Sequence, residues 1–161
     1  MATPKYDLET LLDDVEAFMK AELNPRLLEI DTEKADFEIT PVPATAYYQG
    51  IWKDSIGDTD VAILYGVEDL SAANGANISG TAIRVRLGIV VIVADDGGEA
   101  QVMRSLYRYQ RALKEIFEEK WDQVSMKVPF AVAGKAPFAF AMPESEEITR
   151  VIGINLECVL P

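Results

Sequence analysis

The chain contains no histidine, and Cys158 is its single cysteine. Those two scarcities exclude Ser-His-Asp and Cys-His nucleophile systems, any internal disulfide, and zinc sites of the usual nitrogen and sulfur type. An enzyme built from this sequence would have to work with carboxylates, Lys, Tyr or Ser alone. One unpaired cysteine also fits a reducing cytoplasmic birthplace. Basic residues are few: 15 Lys and Arg stand against 27 Asp and Glu, a net charge of −12. That is the wrong sign for a protein that clamps phosphates by displacing their counterions. Long apolar runs are missing too. Nothing approaches the roughly 18 to 20 residues needed to cross a bilayer, and the longest apolar stretch, Leu87 to Ala94, has the length of a strand. The N-terminus shows no basic segment leading into an apolar one. A soluble protein outside the secretory route is expected, which leaves the Asn77-Ile78-Ser79 sequon without meaning.

What is present suits one core and one domain over residues 1–161. Leu8, Leu11, Leu12, Val15, Phe18, Met19 and Leu23 recur at helical spacing, and Thr3-Pro4 offers an N-cap and first position. Asn24-Pro25 predicts a break or kink, because proline lacks the N–H and crowds the preceding turn. Residues 37–52, with two prolines and four aromatics, read as an edge strand or extended segment. A short buried strand follows over 60–66. The Gly-, Ala-, Asn- and Ser-rich stretch 67–80 then reads as a loop that orders only under a neighbour.

In "TAIRVRLGIVVIVADDGG", Ile83, Val85 and Leu87 alternate with Arg84 and Arg86, and both faces turn apolar from Ile89 to Val93. That pattern predicts a central strand. A long helix over about 99–124 follows, its stripe formed by Val102, Leu106, Tyr109, Leu113, Ile116, Phe117 and Trp121. Residues 128–142 predict a hairpin turning at Gly134-Lys135, kept to an edge by Pro129 and Pro137. The stretch 148–161 predicts a half-buried strand closing the sheet, with Ile152, Ile154, Leu156, Cys158 and Leu160 inward. The expected class is α+β: a mostly antiparallel sheet packed against an N-terminal helix and a long second helix, with a β-hairpin arm.

Motifs for chemistry are few. Gly134-Lys135 fails the P-loop pattern, since Pro129 stands where a glycine is needed and Ala136 where Ser or Thr is needed. Asp58, Asp60, Asp95 and Asp96 offer hard oxygen ligands for Mg²⁺ or Ca²⁺, yet they sit in turns, where Asp serves the backbone, and no EF-hand spacing follows. Cys158, on an apolar strand face, reads as an inert core residue. No catalytic, cofactor-binding or metal residue is assigned.

The helix stretch "LYRYQRALKEIFEEKW" is charge-segregated. Arg104, Arg108 and Arg111 share its polar face with Glu115, Glu118 and Asp122. Two readings stand: a solvated face with Arg111–Glu115 and Lys114–Glu118 pairs, or a basic end that meets an acidic surface on a second subunit. Either way the three arginines are expected to be exposed, and changing all three to Gln should cost less than about 1 kcal/mol. In the hairpin arm, Phe130, Phe138 and Phe140 with Val128 and Val132 are more apolar than an edge needs, which points to a subunit interface.

Taken in order, "LLDDVEAFMKAELNPRLLEIDTEKAD", "ITPVPATAYYQG", "DVAILYG", "RVRLGIVVIVADDGG", "YRYQRALKEIF" and "VIGINLECVL" resemble the small neck and tail-completion proteins of tailed bacteriophages, most closely the tail terminators. The resemblance covers nearly the whole chain as a succession of patterns. It implies a small α+β subunit, made in the bacterial host cytoplasm and incorporated in the virion. There it forms a ring, usually a hexamer, at the head-proximal end of the tail tube. Its partners would be further copies of itself, the tube protein and a head connector or neck protein, with DNA passing through as cargo. It implies no cofactor and no catalytic residue. A head-closure protein or a component of a phage-derived contractile particle is the alternative within that class, and a carboxylate-dependent metal enzyme the alternative outside it. Alone, the chain is expected to be a monomer or weak oligomer.

Overall fold

The computed structural model describes residues 7–50, 60–72, 82–94, 99–121, 130–141 and 148–160, with backbone alone at 94, 99, 138–141 and 148–149. In chain order these form α1 (Leu8–Lys34), β1 (Tyr47–Gln49), β2 (Val61–Ala72), β3 (Ile83–Ala94), α2 (Glu99–Glu119), β4 (Ala131–Ala141) and β5 (Ile148–Leu160). The sheet order is β1-β2-β3-β5-β4. Every neighbouring pair is antiparallel except β1 with β2. The α+β class and the central β3 are as the sequence predicts.

α1 starts where a side chain can satisfy its free amides. Asp7 is the N-cap, accepting 2.9 and 2.8 Å hydrogen bonds from the Thr10 amide and hydroxyl. Thr3 and Pro4, expected to do this, lie outside the described residues. The predicted break at Pro25 is absent, and α1 runs through it for 27 residues. Pro25 and Ala21, four residues before it, are both exposed, so the carbonyl left without a partner lies on the wet side of the helix. The Asn24 side chain donates to the Val42 carbonyl and accepts from the Val42 amide, both at 2.9 Å, tying the returning chain to the helix.

α2 buries its predicted stripe from Val102 to Phe117, with Leu106, Leu113, Ile116 and Phe117 at 0% exposure, while Trp121 lies beyond its end and is partly buried. Side chains alternate along strands, so Ile63 and Tyr65 of β2, Val85 to Val93 at odd positions of β3, and Ile152 to Leu160 at even positions of β5 share one face with it. Phe117 stacks between Phe18 of α1 and Phe130, at centroid distances of 5.0 and 5.6 Å. Both helices and one sheet face therefore share a core.

Three strand expectations change. β2 continues through residues 67–72, expected as loop, because β3 offers a partner as far as Ile83; a bulge at Val67/Asp69 absorbs one extra residue, Glu68. Residues 73–80 lie outside the described residues. The predicted hairpin does not form: β4 passes straight through Gly134-Lys135 and pairs along its length with β5. What looked like a turn is a bulge between Lys135 and Phe138, where Pro137 costs no ladder bond. Gln110 of α2 donates to the Lys135 and Gly153 carbonyls at 2.8 and 2.7 Å across that irregularity. Finally, β5 does not close the sheet. It lies between β3 and β4, which leaves β4 at the edge.

Candidate functional site

The polar faces of α1 and α2 meet in an ionic seam. Lys120 pairs with Glu22, Arg26 with Glu119 and Glu115, Arg111 with Glu33, and Arg108 with Asp36. Partner numbers rise along α1 as they fall along α2, so the helices run antiparallel. Arg111 lies 2.8 Å from Glu33 and 2.7 Å from Glu115. Its hydrogen bond holds the Glu33 carboxyl below the ordinary range, and the two carboxylates raise the guanidinium further. Lys114 reaches Glu118 at 3.8 Å.

Arg108 differs from its neighbours. It is 7% exposed, donates to both Asp36 carboxylate oxygens at 2.6 and 2.8 Å and to the Phe37 carbonyl at 3.3 Å, and stacks 4.2 Å from the Phe37 ring centroid. One guanidinium nitrogen serves both Asp36 oxygens while the other serves Phe37, and these charge-assisted bonds hold Asp36 below the usual carboxylate range. Arg104 is 67% exposed on its side chain and reaches Asp36 at 3.7 Å. Of the three arginines expected to be exposed on a subunit surface, only Arg104 is largely so. Arg108 is buried and joins α2 to the segment after α1, and Arg111 is half-buried between two acids. The reason is that α1 presents carboxylates in its last turns and just beyond its end, opposite these positions.

Phe130 also corrects the interface expectation: it is buried at 8% exposure against Phe117. The side chains of Phe138 and Phe140 lie outside the described residues, as does Val128.

Beside the end of α1 an open groove of about 930 Å³ is lined by Asn24, Pro25, Leu28, Asp31, Phe37 and Pro41, among others. Asp31 accepts from the Ile39 amide at 2.9 Å, while its other oxygen is buried without a hydrogen bond, 3.9 Å from Arg108. Asn24, Asp31 and Asp36 are all engaged in holding the 35–42 segment. Among the described residues no three His, Cys, Asp or Glu side chains gather as a metal site. Asp60 is exposed, and Asp58, Asp95 and Asp96 lie outside the described residues. Cys158 is 4% exposed, and burial pushes its thiol up to about 11. It stays protonated and unreactive.

The sheet face turned away from the helices has two zones. At one end Leu64, Ile92 and Val151 are buried together with Tyr48 and Val90 against them. At the other, Arg84 and Arg86 flank Glu157 at 3.3 and 3.5 Å. Between them the bulge residue Glu68 of β2 meets Lys135 of β4, spanning β3 and β5. The Glu68 carboxylate lies over Gly88, where any Cβ would collide with it. The Asn155 side-chain oxygen, buried without a hydrogen bond, belongs to the same row as Gly88.

Both sheet edges are open among the described residues. β1 covers β2 only at Ile63 to Tyr65, and residues 68–72 beyond it are exposed, Leu70 at 48%. On the other side β4 has β5 as its one partner, with Ala131, Ala133, Gly134 and Ala136 exposed. Sequence reasoning missed Asp31, Asp36, Asn24, Gln110 and the Glu68–Lys135 strap. Most of these join parts of the chain that are far apart, as Arg108 and Asp36 are, 72 residues apart, while Asn24 reaches only 18 residues on. No protein-family model matches the chain, and no curated protein matches it.

Proposed function

We propose that the chain is a structural subunit of a tailed bacteriophage neck, a tail terminator that closes as a ring on the head-proximal end of the tail tube. In that position it ends tube polymerisation and presents a surface to the head connector. The resemblance described above supplies the family. The observation that carries the reading is the fate of the cations. Arg26, Arg84, Arg86, Arg104, Arg108 and Arg111 lie within salt-bridge distance of a carboxylate of their own chain, as do Lys20, Lys114, Lys120 and Lys135. Ten of the 15 cations are thus paired with acids of their own chain, while the net charge stays at −12. Among the described residues no unpaired basic stripe stands ready to hold a phosphate backbone, which suits the rim of a channel through which DNA must slide.

Native mass spectrometry of the isolated chain, with imaging of labelled copies on tails, tests the proposal. The expected result is a monomer or weak oligomer in solution and a closed ring at one tail end, next to the head connector. A monomeric copy in the particle overturns the ring, and a ring elsewhere in the neck moves the chain to a head-closure role.

A further inference from the structure

We infer that the contact between copies of this chain is a continuation of the sheet, in which residues 130–133 of one copy, around the start of β4, pair antiparallel with Asp69–Ala72 of β2 in the next. The inference rests on the ring reading for its closed arrangement, and on the two open edges for its chemistry.

The directions of the strands come first. β2 is antiparallel to β3, β3 to β5 and β5 to β4, so β2 and β4 run in opposite directions; β4 is one edge of the sheet, and at the other the end of β2 beyond Tyr65 extends past β1. A second copy placed beside the first in the same orientation therefore brings its β2 antiparallel to β4. The surfaces in contact are different ones, so the contact is head to tail and can be repeated around a ring. A two-fold pairing of β4 with β4 would leave the β2 edge and Leu70 uncovered.

The residues on each edge agree. Exposed edges are normally blunted by charge, proline or a bulge. In β4 all three devices, Lys135, Pro137 and the bulge between Lys135 and Phe138, fall in its middle. The preceding Ala131-Val132-Ala133-Gly134 carries none of them. On β2 the outer edge is occupied by β1 only through Tyr65, and the bulge ends at Asp69, leaving Asp69 to Ala72 regular and exposed.

Face matching then sets the register. Val132 is opposite Leu156 and Leu70 opposite Val85, so both lie on the helix side of their sheet. Placing Leu70 against Val132 covers a side chain that is 48% exposed in the single chain. It also puts Ser71 opposite Ala131 and Asp69 opposite Ala133, all on the far face. Side chains directly opposite in an antiparallel pair have Cβ atoms roughly 4.5–5.5 Å apart. That spacing is close to what a disulfide needs.

Cysteine pairs test this directly. Ser71→Cys and Ala131→Cys change exposed positions, and native Cys158 is buried, so the background is low. Mixing the two single variants under mild oxidation should give a covalent dimer, and a chain carrying both changes should give a ladder of higher species. Each single variant alone should give no more than wild type. The pair Asp69→Cys with Ala133→Cys repeats the test if either first variant loses its native circular dichroism. Cross-linking of Ala131→Cys with itself overturns the inference in favour of a two-fold contact. Native mass spectrometry of the same samples separates the remaining failures. Oligomers without the cross-link overturn sheet continuation but leave the ring reading standing, and no association on tails or in solution overturns both.

Discussion

Arg108 carries more of the stability than its position on a polar helix face suggests. Its charge is largely out of water, and what compensates that is the carboxylate of Asp36, the Phe37 carbonyl and the Phe37 ring. Truncating it leaves the Phe37 carbonyl in a poorly solvated place without its donor, and the buried Asp31 oxygen without the positive charge 3.9 Å away. Arg108→Ala should therefore lower stability by about 2–3 kcal/mol in urea unfolding. Arg104→Gln, on a side chain 67% exposed, should cost less than about 0.5 kcal/mol. Equal costs for the two would show that the buried pair contributes no more than a surface one. Periodicity could place all three arginines on one face, and it did. It could not distinguish them, because their difference lies in which acids the end of α1 presents, and that follows from a turn at Ala35 that no pattern marks.

That turn is a property of the element. α1 ends with Ala35 in the left-handed region, φ 51° and ψ 26°, its amide donating to the Asp31 carbonyl at 2.8 Å. A β-carbon is disfavoured there, and glycine is the usual occupant. The residue is held because reversing the chain at this point is what brings Asp36 back onto Arg108 and Ile39 onto Asp31. Ala35→Gly should raise the melting temperature, with a gain of about 0.5–1 kcal/mol, since relief of the left-handed strain exceeds the added freedom of the unfolded chain. A loss of stability would mean that the conformation is unstrained. Element identities were legible from spacing: the stripe of α2 and the alternation of β3 and β5 read through directly. Misread places were those where a local rule met a tertiary partner. Pro25 marks a break only if its orphan carbonyl is dry, and Gly134-Lys135 marks a turn only if no strand lies alongside to extend the arm. β5 lies alongside, and it belongs to a later part of the chain.

At the scale of the whole molecule, carboxylates decide how the fold responds to acid. Asp36 and Glu33 are held below their ordinary range by Arg108 and Arg111, and Asp7 by the Thr10 amide it caps. With folded values lower than unfolded ones, the unfolded chain takes up protons first as pH falls. Stability from these groups is complete above the ordinary carboxylate range and is lost as pH drops from about 4 through the depressed values. Melting temperature should thus be flat near neutrality and fall on acidification. In a Glu33→Gln, Asp36→Asn variant it should start lower and fall less steeply. An unchanged slope would show that the seam is not what acid breaks. The acidic excess was readable from composition alone. Its distribution was not, since the pairing of Lys120, Arg26, Arg111 and Arg108 with acids inside the same subunit depends on how two helices far apart in sequence lie against each other.

The placing of β5 governs the order in which the chain can be completed on the ribosome. β3 and β4 run parallel, joined through α2, and each depends on β5 for the hydrogen bonds between them. While synthesis has reached β4 but not β5, α2 has emerged with only part of the sheet face it must cover, and the inner edges of β3 and β4 are bare. Closing that gap needs a strand that is made later than both, a long-range pairing of the kind that slows folding and exposes strand edges meanwhile. A nascent chain in this state holds an unfilled slot the width of one strand, and a strand from another nascent copy fits it as well as its own. Polysomes carrying several such chains close together are where mispaired copies would arise, and faithful assembly depends on β5 reaching its own slot before a neighbour does.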